Sequence, residues 1–154
     1  MVDKDIVLAK TAAVQKCLKR IIEVTGLDPG QLDDQDIQDI FVLNLQRAIQ
    51  SVIDLAVHVS ASEGLGLSDT IRGHFVLLEK EKIIGKPLSQ KMQSMVGFRN
   101  IAIHDYQALD TEILRAILRK RLKDLEQFYT AIITHFDLAP KPKKVGAGSK
   151  PANN

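Results

Sequence analysis

Arg99, Asn100, His104 and Tyr106 are the residues of this chain whose types and spacing could do chemistry. They read Arg-Asn-x3-His-x-Tyr within a single short stretch. Histidine is the side chain whose unperturbed pKa lies near neutrality. It can take the proton of an RNA 2′-hydroxyl or return one to a leaving 5′-oxygen. Arginine stays charged and can hold a phosphate through two donors while negative charge accumulates on its oxygens. Asn100 can donate to the same phosphate, and Tyr106 can donate a hydrogen bond or stack on a base. The set suits cleavage of RNA without a metal. One chain supplies one motif histidine, whereas acid–base cleavage works best with two proton carriers. A two-fold dimer with both motifs in one cleft would supply the second.

The spacing constrains how the motif can work. Leu88, Met92, Met95, Arg99, Ala102 and Tyr106 fall on one helical stripe, so Arg99 sits in an otherwise apolar face. Burying a cation there without partners is costly, and a structural alternative is an arginine satisfied by a buried carboxylate. Five residues of ideal helix turn the chain by about 500° and raise it by roughly 7.5 Å, which leaves Arg99 and His104 pointing about 140° apart. They serve one site only if the helix ends or loosens between them, or if a second copy of the chain completes it.

Helices are what must position them. Residues 3–25 carry Ile6, Val7, Val14, Cys17, Leu18, Ile21 and Ile22 near a helical period, and Gly26 is a stop. Asp33 or Asp34 is placed to cap a second helix running to about Ser62, and Gly64-Leu65-Gly66 breaks it. Ser68 or Asp69 is placed to cap a third helix, closed by Gly85. Pro87 opens a fourth, which carries the motif, and Asp110 caps a fifth that lasts until Pro140. No strand pattern or internal repeat is present. The expectation is an all-α antiparallel bundle of four to five helices over residues 1–139, with a disordered Lys/Pro/Gly tail at 140–154.

Composition narrows the function classes. The chain has 154 residues, 45% of them hydrophobic, enough for one domain with a core. Residues 140–154 hold four lysines and no acid, so the remainder carries 17 bases against 19 acids, and bulk charge does not announce a nucleic-acid binder. Any RNA contact must be local. The single cysteine, Cys17, cannot form an internal disulfide and reads as a small core residue. No signal-peptide pattern and no apolar run of about 18 residues stands out, which points to the cytoplasm. His58, His74, His104 and His135 are far apart and no Cys-x-x-Cys or His-x3-His pair exists, so no metal site is expected. His74 and His135 read as partly exposed. Asp54 and His58, four apart on the second helix, can orient one another behind the site; the alternative is a half-buried polar pair. Arg115, Arg119, Lys120, Arg121 and Lys123 make the fifth helix basic, a solvated face paired with Asp124 and Glu126; the alternative is an RNA track that a dimer could place beside a cleft.

At this point the residues resemble a known family. Arg99-Asn100-Ile101-Ala102-Ile103-His104-Asp105-Tyr106 is similar to the Arg-x4-His-x-Tyr signature of HEPN-domain ribonuclease toxins of the HepT type. Asp54-Leu55-Ala56-Val57-His58, Gly64-Leu65-Gly66 and Met95-Val96-Gly97-Phe98 resemble the same group, and the similarity covers about residues 5–138. The resemblance implies a HEPN bundle that dimerises, with Arg99 and His104 of both copies lining one RNA-cleaving cleft and no cofactor of its own. It implies an MntA-type nucleotidyltransferase antitoxin as partner, which uses ATP and Mg2+ to attach AMP units to Tyr106. Charge added there would occupy the anion site and repel RNA. A competing reading is a non-catalytic companion of a small nucleotidyltransferase, holding a nucleotide phosphate through Arg99 and His104.

Overall fold

A computed structural model describes residues 1–139 as six α-helices: α1 (Lys4–Thr25), α2 (Gln35–Ser62), α3 (Ile71–Lys80), α4 (Lys86–His104), α5 (Thr111–Lys120) and α6 (Leu122–His135). Two short 3-10 turns, Pro29–Asp33 and Tyr106–Ala108, lie in the connections. There is no strand among the described residues. The expected tail at 140–154 lies outside them.

The helix starts follow from side-chain oxygens that satisfy unpaired amides. Asp3 accepts from the amides of Asp5 and Ile6 ahead of α1, and Asp34 does the same for Asp36 and Ile37 ahead of α2. The cap of α3 is Thr70, which accepts from Gly73 N–H at 3.0 Å, rather than the expected Ser68 or Asp69. Ser68 instead accepts from the Thr70 amide and braces the cap residue. Gly26 ends α1 with φ +58°, a left-handed conformation that costs glycine nothing.

Helices α1 and α2 form the long antiparallel hairpin of the bundle. Their direction shows in the pairing of Asp3 with His58 and of Lys10 with Asp54. α3 folds back on α4, α5 covers the Pro29–Asp33 turn, and α6 closes the bundle against α1, α2 and α4. The core between them contains Phe41, Leu45, Ile49, Leu55, Phe75, Met92, Leu125 and Phe128, each fully buried. Phe75 and Phe128 meet edge to face with centroids 5.4 Å apart, an arrangement favoured by the ring quadrupoles.

Several expectations are corrected. The single fifth helix is interrupted at Arg121 (φ −111°, ψ −13°). Its two halves pack on different neighbours, and no glycine or proline marks the change. Cys17 is half-buried rather than a core residue, and Ile6 and Ile22 face solvent. His74 is buried, not partly exposed, because its side of α3 faces the core beside Phe75. His135 is exposed. Asp124 is 1% exposed, with Lys91 and Arg121 each 3.8 Å away, so it is a buried charge rather than part of a solvated face. Arg115 pairs with Asp33 and Glu112 instead. Against the expectation that no apolar run of spanning length stands out, α2 is long and apolar enough to cross a membrane, but more than half of its apolar stretch is buried against the other helices. It is the central rod of the bundle.

Candidate active site on helix 4

Helix α4 stays helical through His104, and Asp105 N–H still donates to Ile101 C=O at 2.8 Å. One of the two ways of bringing Arg99 and His104 together is therefore removed: the helix does not end or loosen between them. The two side chains leave the rod on different sides. Tyr106 lies beyond the helix end, on the following 3-10 turn, and drops out of the stripe that Leu88 to Ala102 form.

Arg99 is half-buried, and no carboxylate neutralises it among the described residues. Its Nε donates to Gln50 Oε1 at 2.9 Å, and its Nη1 donates to Asn100 Oδ1 at 3.0 Å. Both partners are neutral amides, which orient a guanidinium without cancelling its charge. The buried-carboxylate alternative is thereby corrected. Asn100 is exposed and presents its carbonyl oxygen to Arg99, which leaves its amide nitrogen available to donate elsewhere.

Gln50 continues the chain of contacts. Its Nε2 donates to Asp54 Oδ1 at 2.8 Å, and Lys10 Nζ donates to Asp54 Oδ2 at 3.0 Å. Asp54 thus reaches Arg99 through Gln50 and makes no pair with His58. His58 lies one turn further along α2, where its Nε2 accepts from the Asp3 amide at 3.0 Å and supports the start of α1. The expected Asp54–His58 pair is corrected: Asp54 pairs with Lys10 of α1, and His58 with the amide of Asp3, the residue that caps α1. Sequence reasoning missed Gln50, although its place one turn before Asp54 is a helical neighbour relation.

His104 is exposed in the last turn of α4, flanked by Ile103 (42% exposed) and, one turn back, Ile101 (47% exposed). Gly97, Ile101 and His104 share a helix face by rotation. Arg72, exposed near the start of α3, lays its guanidinium across Gly97. A Cβ at that position would lie 2.6 Å from Arg72 Nη2. Arg72 was also missed; a glycine inside a helix is the only sequence signal for it.

Tyr106 is 37% exposed, and its hydroxyl donates to Asp39 Oδ1 on α2. Gln35 Nε2 donates to the same carboxylate oxygen at 2.7 Å. Burial and the Asp39 carboxylate push the Tyr106 pKa up to about 12. No three His, Cys, Asp or Glu side chains converge among the described residues. A cavity of about 410 Å³ lies between α4 and the α5–α6 region, lined by Met95, Phe98, Ile117 and Asp124, and neither Arg99 nor His104 borders it.

Comparisons with known proteins bear on this arrangement. A family model described as Ribonuclease HepT-like matches residues 14–132. The mRNA nuclease HepT of Shewanella oneidensis is 40% identical over 128 residues, covering 83% of this chain and 96% of that protein. The structure of a tri-AMPylated Shewanella oneidensis HEPN toxin in complex with MNT antitoxin superposes with a TM-score of 0.80 at 40% identity, covering 84% of this chain and 98% of that one. A toxin–antitoxin complex with AMP-PNP gives the same TM-score, identity and coverage. A helical bundle that carries Arg-x4-His-x-Tyr at the end of α4, matched over most of its length in sequence and in shape, belongs to the HepT-like ribonuclease family of HEPN proteins.

Proposed function

We propose that this chain is the toxin of a toxin–antitoxin pair, an endoribonuclease that cleaves messenger RNA without a metal ion and is silenced by AMP transfer to Tyr106. The observation that carries the reading is the state of Arg99: a guanidinium oriented by two neutral amides and left with its full charge, on the same helix as an exposed histidine. A bundle that needed Arg99 only for stability would be expected to pair it with a carboxylate.

In the proposed reaction the RNA 2′-oxygen attacks the adjacent phosphorus, a bond to the 2′-oxygen forms, and the bond to the 5′-oxygen breaks. His104 moves the proton, taking it from the 2′-hydroxyl or giving it to the departing 5′-oxygen. Arg99 and the amide nitrogen of Asn100 hold the phosphate oxygens as charge builds on them. Arg72, in the notch over Gly97, adds a further cation on the face that bears His104.

A continuous α4 turns Arg99 and His104 about 140° apart. This supports a homodimer in which one copy's histidine faces the other copy's arginine across a shared groove. Exposed Ile101 and Ile103 beside the motif supply apolar surface for such a contact. The relatives solved with an antitoxin, one of them AMPylated, support a nucleotidyltransferase as partner and Tyr106 as the acceptor of AMP, with ATP and Mg2+ consumed by that partner.

The test is cleavage of RNA by the purified protein in EDTA. Arg99→Ala and His104→Ala should each lose about 10²–10⁴-fold, the scale of general acid–base and phosphate-stabilising contributions. Mixing the two inactive variants should restore activity if each groove draws on both copies. Full cleavage by both single variants would remove the mechanism.

A further inference from the structure

The Tyr106 hydroxyl does not point freely into solvent; it donates to Asp39 Oδ1, and Gln35 holds that same oxygen at 2.7 Å. Asp39 stands on the second turn of α2, 67 residues away in sequence, and both side chains are exposed. The contact joins the connection after α4 to the N-terminal part of α2. It serves no core packing, since neither residue is buried. Asp39 and Gln35, both from α2, are the side chains that act on the hydroxyl.

Resting on the reading of Tyr106 as an AMP acceptor, we propose that Asp39 is the general base of that modification, a catalytic residue that the target protein supplies for its own inactivation. Tyrosine is a poor nucleophile while protonated, and its attack on phosphorus is eased when a carboxylate accepts the proton as the new bond forms. Tyr106 Oη attacks the α-phosphorus of a nucleoside triphosphate. The Oη–P bond forms, the bond from that phosphorus to the bridging oxygen breaks, and pyrophosphate leaves with the electron pair. The Oη proton passes to Asp39 Oδ1 and then to solvent, so nothing is oxidised or reduced.

The arrangement has a further consequence. Before transfer, Asp39 attracts a hydroxyl; afterwards it faces a phosphodiester of like charge, and the hydrogen bond has no donor. The modified side chain is therefore driven off α2. Tyr106 has one hydroxyl, so any later AMP unit at this residue is attached to nucleotide and lies outside the reach of Asp39. Asp39 governs the first transfer only.

The experiment follows the intact mass of the full chain incubated with the purified antitoxin, ATP and Mg2+, across about pH 7–9.5. The unaltered chain should gain AMP units and Tyr106→Phe none. Asp39→Asn should slow the first addition by about 10²-fold near neutrality. That deficit should shrink as pH rises, because ionisation of the tyrosine itself then replaces the base. Asp39→Glu should recover part of the rate, and circular dichroism melts should show that both variants fold. If Asp39→Asn takes its first AMP as fast as the unaltered chain at every pH, while Tyr106→Phe remains unmodified, the role of Asp39 is overturned and the acceptor reading stands. Undiminished modification of Tyr106→Phe, or none of the unaltered chain, overturns both.

Discussion

Arg99 and Gln50 are locked nitrogen to oxygen at 2.9 Å, and the other end of the Gln50 amide is held by Asp54 at 2.8 Å. A neutral side chain thus stands between the cation proposed to hold phosphate and the carboxylate that would otherwise neutralise it. Asp54 fixes the direction of Gln50, Gln50 fixes the direction of Arg99, and the guanidinium keeps its charge.

Removing that spacer should disorder Arg99. Gln50→Leu deletes a hydrogen bond to a charged group, about 1.5–3 kcal/mol, which corresponds to roughly 10–100-fold in kcat/KM for RNA. Gln50→Glu should also fail, for a different reason: it places a carboxylate against both Arg99 and Asp54, cancelling one charge and repelling the other. Steady-state cleavage of a defined RNA measures both, and an unchanged kcat/KM in each would show that Arg99 needs no orientation from α2.

The outer end of the same chain should matter little. Lys10 and Asp54 are 37% and 38% exposed, so their ion pair is screened by solvent. Lys10→Met is expected to cost under about 1 kcal/mol of stability, with the difference fading at high salt. Thermal melts at two ionic strengths check this; a larger loss that persists in salt would mean that Lys10 positions Asp54 more strongly than its exposure implies.

Tyr106 should titrate late. Partial burial and the Asp39 carboxylate push its pKa up to about 12, so the phenolate absorbance of this residue should emerge above the ordinary range near 10. Asp39→Asn should bring it down. Because this pKa is higher in the folded than in the unfolded chain, the contact contributes its full stability below about pH 10, and that contribution is lost as pH rises from about 10 through 12. Ultraviolet titration of the protein against Tyr106→Phe isolates the residue from Tyr129, and an ordinary midpoint would remove the Asp39 contact from solution.

Gly97→Ala separates stability from function. A helix-interior alanine should raise stability by about 0.5–1 kcal/mol. The new Cβ would sit 2.6 Å from Arg72 Nη2, so it must push aside the flexible end of that side chain and not a backbone. KM for RNA should rise while the melting temperature holds or increases, and Arg72→Gln should show the same KM effect. Unaltered KM in both would remove Arg72 from the cleft.

The helical content, the ends of α1 and α2, and the Arg-Asn-x3-His-x-Tyr residues were legible without a structure. Caps, glycine stops and the 3.6-residue apolar period are local signals that survive in one dimension. The interruption at Arg121 was not legible, because it arises from α5 and α6 packing on different neighbours and leaves no breaker residue behind. His74 was misplaced for a similar reason: its burial depends on which side of α3 meets Phe75 and the rest of the core.

The sequence by itself determined which groups could handle a phosphate and a proton, because reactivity resides in side-chain chemistry and the motif residues are near neighbours in the chain. Tertiary structure alone decided their surroundings. Gln50 lies 49 residues from Arg99, and Asp39 lies 67 from Tyr106. Those pairings depend on how α2 lies against α4 and the turn beyond it, a relation set by burial of the common core rather than by anything written near the motif. Long-range packing therefore turns a reactive string of residues into an oriented cation and a tethered tyrosine.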